Sequence, residues 1–324
     1  MNRYATYFDS HYLPRALVLF ASLDRHDPGW QASVLALDDA CAAALRALGR
    51  PNLDVVNLAE LEADEPRLSA AKAGRSRVEY YFTCGPAFLD LVFRRHPEAS
   101  ALTYVDADLC FFSPPGPVYA ELAQASVGLV EHRFSARNQK SAASGLYNVG
   151  WLYFRADDTG RAAVRWWKER CLEWCFDRFE DGKYADQKYL EGLAAGFKGV
   201  HSVQHPGVNL APWNVDAAVL AEGPLGLTVQ GQPLVVYHVQ GLKQVSPRLF
   251  HAQGADYGAR LWGSLRRRVY LPYLAELDAL AGALPVAGQL RYHYGAMNWR
   301  DRLKALKRAL WNGSYFLRAF GRYW

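Results

Sequence analysis

The sequence predicts an α/β fold with a mixed, mostly parallel sheet flanked by helices. Its first half alternates segments of strand and helix character, which is typical of parallel sheets covered on both faces. The chain has 324 residues, 51% of them hydrophobic, enough for a large buried core. The strands of the first half are predicted at 4–8, 33–37, 54–57 and 101–105, and the helices at 14–25, 39–48 and 85–95.

The second half has a looser pattern and a basic end. Strands are predicted at 126–131, 151–155 and 233–238, and helices at 159–178, from about 186, at 265–284 and at 300–311. The net charge is +5, whereas Arg291–Trp324 alone holds eight Lys or Arg and one Asp. The sequence therefore predicts a first domain, residues 1–248, followed by a C-terminal helical extension, residues 249–324, rich in basic and aromatic side chains.

The extension has the composition of a surface that contacts an anionic membrane. In the helix at 300–311, leucines fall on one face and basic residues off it. Beyond that helix, aromatic residues alternate with arginines. The residues concerned are Leu303, Leu306, Leu310, Lys304, Lys307, Arg308, Tyr315, Phe316, Arg318, Phe320, Arg322, Tyr323 and Trp324. Peripheral contact with a membrane through residues 300–324 is the prediction.

The cysteine count and the first residues favour the cytosol as the compartment. Five cysteines are an odd number, and the opening residues lack the apolar region of a secretory signal. No stretch approaches the roughly 20 apolar residues of a membrane span. Cys171 and Cys175 are spaced like a pair on one helix face, for which we expect a packing role because no second pair completes a zinc site.

Two carboxylates follow the strand predicted at 101–105. Asp106 and Asp108 are two residues apart, so their side chains point the same way and can converge on one divalent cation. In open α/β sheets, such strand ends are where nucleotides bind, and a cation there can hold a diphosphate. The pair predicts a metal site that binds a nucleotide.

A late segment, His238-Val-Gln-Gly241-Leu-Lys243, supplies what the acidic pair lacks. An imidazole at a strand end can complete a metal shell, a glycine lets backbone approach a phosphate, and a lysine can neutralise a diphosphate. Mixed oxygen and nitrogen ligands favour Mn²⁺ over Mg²⁺. The alternative for His238 is a hydrogen-bonded core histidine.

The ordered set of motifs resembles the retaining nucleotide-sugar glycosyltransferases of the GT-A (Rossmann-like) fold. It is most similar to the glycogenin and lipopolysaccharide galactosyltransferase group, and to bacterial proteins labelled glycosyl transferase without an assigned substrate. The resemblance covers about residues 3–245. The motifs that carry it are VDADLCFF, EHRF, YNVGWLYFR, DRFEDGKYADQKYL, VNLAPWN and HVQGLK.

The resemblance implies a role for each matching position. Asp106, Asp108 and His238 would hold the metal, with Asp106, Gly241 and Lys243 at the donor's diphosphate. The other implied donor contacts are Thr6 and Asp9 near the base or ribose, Arg77 (or Arg75) in place of a family arginine that this chain lacks, and Asn209 near the sugar. Asn148 would contact the donor sugar or the acceptor, and Asp186 and Gln187 would lie beneath the anomeric carbon. In this chain Lys243 falls one residue sooner than in the galactosyltransferase group, and Lys188 follows Gln187 where the family has Asp.

The implied function is metal-dependent hexosyl transfer, with retention, from a nucleoside diphosphate sugar, a UDP-sugar by preference. The acceptor would be a glycan or a lipid-linked sugar in cell-surface polysaccharide or lipopolysaccharide synthesis. Retention would follow if Asp186 attacks first, or if the acceptor enters on the face from which the diphosphate departs. The sequence does not separate these two routes.

Other interpretations remain open. A strand followed by Asp-x-Asp also begins haloacid-dehalogenase phosphatases, with Asp106 as nucleophile and Asp108 as acid and base. A non-enzymatic protein could bind nucleic acid or a membrane through its basic end. Structural roles are also possible for Asn148 (a turn), Asp186 (a helix cap) and Asn209 (a loop brace). Trp166, Trp167 and Trp174 more often fill a core than stack on a sugar.

Overall fold

The computed structural model describes residues 2–224, 226–246, 248–284, 300, 303, 307, 311–319 and 322–323. All bounds below refer to these residues. The strands are β1 Asn2–Phe8, β2 Ala32–Ala36, β3 Leu53–Asn57, β4 Ala101–Val105, β5 Leu109–Phe111, β6 Val127–Glu131, β7 Tyr147–Arg155, β8 Val200–Ser202, β9 Leu220–Gly223, β10 Gly226–Val229, β11 Gln232–Pro233, β12 Val236–His238, β13 Lys243–Ser246, β14 Leu249–His251, β15 Tyr315–Ala319 and β16 Arg322–Tyr323.

Helices separate most of the strands of the first 200 residues, and two more follow β14. They are α1 Leu13–His26, α2 Asp39–Ala47, α3 Leu58–Asp64, α4 Arg67–Ala73, α5 Arg77–Arg95, α6 Gly116–Glu121, α7 Asp158–Glu173, α8 Tyr189–Gly196, α9 Gly263–Leu265 and α10 Leu271–Gly282. One turn of π-helix, Arg266–Tyr270, joins α9 to α10. In the part of the chain that is described, no helix combines the length and the apolarity needed to cross a bilayer.

A seven-stranded sheet in the order β3-β2-β1-β4-β7-β6-β8 forms the centre of the described structure. Strands β3, β2, β1 and β4 run parallel, β7 is antiparallel to β4 and β6, and β8 is parallel to β6. Apolar side chains from the two faces form two separate core clusters. The predicted mixed, mostly parallel sheet is confirmed.

Local capping explains where two helices differ from the sequence prediction. Helix α5 begins at Arg77, not at 85, because the Ser76 side chain accepts a hydrogen bond from the Glu79 N–H and the Glu79 carboxylate accepts one from the Ser76 N–H. Helix α7 ends at Glu173, not at 178, because Trp174 adopts an extended backbone and its indole N–H donates to Glu180 at 3.0 Å.

Several other elements also depart from the prediction. Helices α3 and α4 were not predicted, β7 begins at Tyr147 and so includes the Tyr-Asn-Val-Gly motif, and the strand predicted at 233–238 is divided into β11 and β12. The cysteines are all free and buried, and Cys171 and Cys175 are fully buried, as their expected packing role requires.

The C-terminal extension contains strands as well as helices. Strand β15 pairs with β14, and β14 pairs with β13, so strands on either side of the predicted domain boundary share one sheet. Phe316, predicted to face a membrane, is fully buried and stacks on Tyr270 with ring centroids 5.1 Å apart. The predictions for Lys304, Leu306, Arg308, Leu310, Phe320 and Trp324 lie outside the described residues.

Candidate functional site

The candidate site lies where two parallel neighbours, β1 and β4, end at the same edge of the sheet. Asp9 follows β1 and Asp106 follows β4. Just after Asp108, β5 begins and pairs antiparallel with β12, which places His238 opposite Leu109. The Val239 N–H also donates to the Asp108 carbonyl at 3.0 Å. This register brings a histidine from late in the chain to the acidic pair.

Asp106, Asp108 and His238 form a cluster that could hold a metal ion. One ligand atom from each residue lies within 4.8 Å of the others. Nε2 of His238 is 3.1 Å from Oδ1 of Asp108 and 3.7 Å from Oδ2 of Asp106. The Tyr104 hydroxyl donates to Oδ1 of Asp106 at 2.6 Å, and this bond leaves Oδ2 toward His238. The three predicted ligands therefore come together.

Burial and mutual charge shift the pKa values of the three groups in different directions. Burial raises the pKa of Asp106, with the Asp108 charge adding to it. Burial also disfavours the charged forms of Asp108 and His238, but the attraction between their opposite charges outweighs this effect. The pKa of Asp108 is therefore lowered and the pKa of His238 is raised. Two carboxylates this close to each other favour the binding of a positively charged group between them.

The donor atoms fit a divalent cation. Among the described residues, Nε2 of His238 is buried and has no hydrogen-bond partner of good geometry, although the carboxylates face it. A buried, unsatisfied polar atom is costly unless something binds it. Carboxylate oxygens combined with an imidazole nitrogen suit Mn²⁺ and related divalent ions.

A cleft of about 620 Å³ opens on one side of the cluster and holds the three predicted catalytic residues. Asn148, Asp186 and Gln187 line it, with Asp106 and His238 at one end. Asp186 is only 4% exposed. Burial, followed by the nearby charge of Asp106, raises the pKa of its carboxyl to about 8. Gln187 is held by a hydrogen bond from Nε2 to the Ser144 carbonyl at 3.1 Å.

A second cleft, of about 350 Å³, lies on the other side of the cluster. Its lining includes the predicted donor residues Asp9 and Arg77, and the pair Asp106 and Asp108. Aromatic side chains make up much of the remainder: Tyr7, Phe8, Tyr12, Tyr81, Phe82 and Tyr104. Because Tyr7, Phe82, Asp106 and Gln240 line both clefts, the two clefts adjoin at the cluster.

Four predicted donor residues do not line either cleft. Thr6 is buried with an unpaired hydroxyl, and Asn209 is fully buried behind His238, where its Oδ1 lies 3.3 Å from Nδ1. Gly241 packs so tightly that a β-carbon would meet the Gln253 side chain, and it has a φ of +67°. Lys243 is exposed at the start of β13.

Sequence reasoning missed several residues of the site. Tyr12, Tyr81 and Gln240 line the smaller cleft, and His132 and Phe179 line the larger one. His132 and Phe179 stand within the quoted segments EHRF and DRFEDGKYADQKYL, so their motifs were recognised although the individual residues were not. Nothing local marks Tyr12, which ends the turn before α1 and is the N-cap residue of that helix.

This chain is similar to YfnF, an uncharacterised protein of Bacillus subtilis (strain 168). It is 33% identical over 254 residues, which cover 76% of this chain and 83% of YfnF. The chain belongs to the YfnF family. A second uncharacterised protein of that bacterium, YfnD, is 28% identical over 289 residues, 87% of this chain and 92% of YfnD. No protein-family profile matches the chain.

Solved structures show the fold of this YfnF-family chain. The galactosyltransferase LgtC, in complex with donor and acceptor sugar analogues, superposes with a TM-score of 0.52 at 18% identity, over 93% of this chain and 99% of LgtC. An LgtC active-site mutant with glutamate in place of glutamine superposes equally well, over 93% of this chain. The chain therefore has the GT-A glycosyltransferase fold, as its motifs predict.

Proposed function

We propose that this protein is a metal-dependent glycosyltransferase that moves a hexosyl group from a nucleoside diphosphate sugar to a glycan or lipid-linked acceptor, with retention of configuration. The supporting observation is the position of the Asp106, Asp108 and His238 cluster at the junction of two clefts. One cleft is suited to a nucleoside and the other to a sugar and its acceptor. A diphosphate at the junction would connect them.

The smaller cleft suits a nucleoside because its aromatic rings offer faces for a planar base. Asp9, at the end of β1, can accept hydrogen bonds from a ribose hydroxyl or a base N–H, and its Oδ1 already accepts one from the His11 backbone at 3.0 Å. The guanidinium of Arg77 lies 6.0 Å from the Tyr81 ring centroid at the same cleft and supplies a positive charge for phosphate. We favour UDP as the nucleotide.

Asp106, Asp108 and His238 would hold the cation, Mn²⁺ by preference over Mg²⁺. When bound, the cation would neutralise charge on the departing diphosphate. Lys243 would add a second positive charge, and Gly241 would let the backbone approach the phosphates. Gln240, which lines both clefts, directly precedes Gly241 and lies three residues before Lys243, and it supports their assignment to the diphosphate.

Asn148, Asp186 and Gln187 would surround the transferred sugar. The amides of Asn148 and Gln187 can bind its hydroxyls, and the buried carboxyl of Asp186 would lie beneath the anomeric carbon. During transfer, the bond from that carbon to the diphosphate oxygen breaks and its electron pair leaves with the diphosphate. A bond from the acceptor oxygen to that carbon forms, and the acceptor's hydroxyl proton would pass to an oxygen of the departing diphosphate.

An exposed aromatic pair at the larger cleft supports a sugar acceptor. Phe179 and Tyr184 stack with ring centroids 4.6 Å apart, both line the cleft, and Phe179 is 63% exposed. The loop that carries them is braced by a hydrogen bond from the Tyr184 hydroxyl to Asp177 at 2.6 Å. A rigid aromatic face beside a polar cleft provides a stacking surface for a pyranose ring.

The C-terminal extension would keep the enzyme on the inner face of a membrane that carries a lipid-linked acceptor. Exposed apolar side chains favour this placement: Trp311 is 74%, Leu317 49% and Leu303 48% exposed. Such a location would serve the synthesis of cell-surface polysaccharide or lipopolysaccharide.

A thermal-shift and calorimetric screen tests the proposed function. UDP, GDP, dTDP and CDP sugars are added with and without Mn²⁺ to the wild type and to Asp108→Ala. We expect one nucleotide class, UDP, to stabilise the wild type only when Mn²⁺ is present, and the variant not at all. A protein that responds to no nucleotide sugar, or that responds equally without metal, would contradict the proposal.

A further inference from the structure

A line of hydrogen bonds runs from the interior to the metal cluster behind His238. Nδ1 of His238 lies 3.3 Å from Oδ1 of Asn209, and Nδ2 of Asn209 donates to Oδ1 of Asn148 at 3.1 Å. Nδ2 of Asn148 lies 3.2 Å from Nε2 of His132, and Nδ1 of His132 lies 3.2 Å from the Leu146 carbonyl. Four side chains thus connect a backbone carbonyl to the cluster.

The chemistry of each partner determines which atom donates and which accepts in every hydrogen bond of this line. The Leu146 carbonyl can only accept, so Nδ1 of His132 carries a hydrogen. Burial lowers the pKa of His132 to about 4, so the ring is neutral and Nε2 accepts from the amide of Asn148. Asn148 then presents its oxygen to Asn209, and the oxygen of Asn209 faces His238. Nδ1 of His238 must therefore donate.

We propose that His132, Asn148 and Asn209 are positioning residues that hold the hydrogen of His238 on Nδ1 and so keep the lone pair of Nε2 toward the cation. The inference rests on the metal site of the proposed function. A neutral imidazole with its hydrogen on Nε2 could not ligate a metal from that atom. Orienting partners of this kind fix both tautomer and ring direction in metal sites.

Backbone strain and tight packing hold the line in place. Asn209 has a φ of +61°, in a region that residues other than glycine seldom occupy. Nδ2 of Asn214 donates to the carbonyls of both Asn209 (3.1 Å) and His132 (2.8 Å). The indole of Trp213 donates to the His132 carbonyl at 2.9 Å, and its ring packs in a T-shaped arrangement with the rings of His132 and His238.

A further hydrogen bond fixes the orientation of the Asn148 amide. Its Oδ1 accepts a second hydrogen bond from the Gly150 N–H at 3.0 Å. The pairing of β6 with β7 changes register between Leu129 and Val130, so that Val130 pairs with Asn148. This irregularity in β7 places the Asn148 amide between His132 and Asn209.

Variants at His132 test the proposal because this residue is farthest from the cation. His132→Leu removes the acceptor for the Asn148 amide, whereas His132→Gln can retain it through Oε1. We expect Mn²⁺ affinity, measured by calorimetry and by electron paramagnetic resonance, to fall about 10- to 100-fold in His132→Leu and to stay near the wild type in His132→Gln. His205→Leu, a half-buried histidine outside the line, should leave the affinity unchanged.

Nitrogen NMR of the wild type, labelled with ¹⁵N-histidine, tests the tautomers directly. We expect His132 to show a protonated Nδ1 and an unprotonated Nε2, and His238 the same pattern with Mg²⁺ present. A hydrogen on Nε2 of His132 would overturn the proposal even if His132→Leu does not fold. Equal Mn²⁺ affinity in the wild type and His132→Leu would overturn the positioning role but leave the proposed function intact. A wild type that binds no metal would overturn both.

Discussion

Gly150 lies so close to His238 that a β-carbon on Gly150 would stand 2.8 Å from Cε1 of the imidazole. The same β-carbon would be 2.6 Å from Oδ1 of Asn148. The glycine carbonyl also accepts a hydrogen bond from the Asp106 N–H at 2.9 Å. A residue without a side chain is therefore required between the acidic pair and the histidine, and the Tyr-Asn-Val-Gly motif supplies it.

Replacing Gly150 by alanine should weaken metal binding. The added methyl would push the His238 ring from its position, because atoms this close must separate. We expect Gly150→Ala to lower Mn²⁺ affinity about 10- to 100-fold, as for other residues that orient a metal ligand. Calorimetric titration provides the measurement. Gly196→Ala, where a β-carbon meets open space, is the control, and equal losses in both variants would contradict this explanation.

The pH dependence of stability should contain a contribution from Asp186. Its pKa is about 8 in the folded protein, against an ordinary value of 3.8, so between these values the folded state keeps a proton that the unfolded chain has released. The contribution is therefore fully present below about pH 4 and is lost as the pH rises toward 8, by at most about 1.4 kcal/mol per pH unit.

Urea unfolding with a metal chelator present, at pH 5 and pH 8, measures this effect. The free energy of unfolding of the wild type should fall with rising pH relative to that of Asp186→Asn, which has no carboxyl to ionise. Mn²⁺ should reduce the difference, because a cation at Asp106 offsets the charge that raises the pKa of Asp186. Parallel curves for the two proteins without metal would show that the Asp186 carboxyl is ionised at pH 5.

Loss of the Phe179 ring should weaken binding of the acceptor more than binding of the donor. In Phe179→Ala, the Tyr184 ring loses its stacking partner and the larger cleft loses an exposed aromatic face. We expect the KM for sugar acceptors to rise roughly 2- to 10-fold, the equivalent of about 0.5–1.5 kcal/mol of aromatic contact. Hydrolysis of the donor without acceptor should not change.

The measurement compares transfer to a panel of mono- and oligosaccharides with nucleotide release in their absence. Trp311→Ala removes another strongly exposed aromatic, which lines neither cleft, and serves as the control. A parallel loss of donor hydrolysis in Phe179→Ala would assign the ring to the donor subsite.

The C-terminal strand β15 should contribute to the stability of the folded chain. Phe316 is fully buried against Tyr270, whose hydroxyl lies 2.9 Å from that of Tyr237 in β12. Phe316→Ala should lower the free energy of unfolding by about 3–5 kcal/mol, as expected for a buried phenylalanine. Leu317→Ala, with a side chain that is 49% exposed, should cost far less. Chemical denaturation compares them, and similar stabilities would show that β15 adds little to folding.

The sequence alone predicted the class of sheet and the acidic half of the candidate metal site. Both depend on short-range patterns: alternating strand and helix segments, and two carboxylates two residues apart after a buried strand. His238 was found differently. It lies far from Asp108 in sequence. Its position at a predicted strand end suggested a ligand, with a core histidine as the alternative, and the resemblance to a known family implied the same ligand role.

Tertiary structure decided the rest of the site. Asn209 resembles a donor contact in sequence, yet packing places it behind His238, because the carbonyls of Asn209 and His132 share the amide of Asn214. Phe316 resembles a membrane contact, yet pairing with β14 buries it. A sequence pattern determines what one segment favours by itself, whereas strand register and packing between distant segments determine which side chains meet.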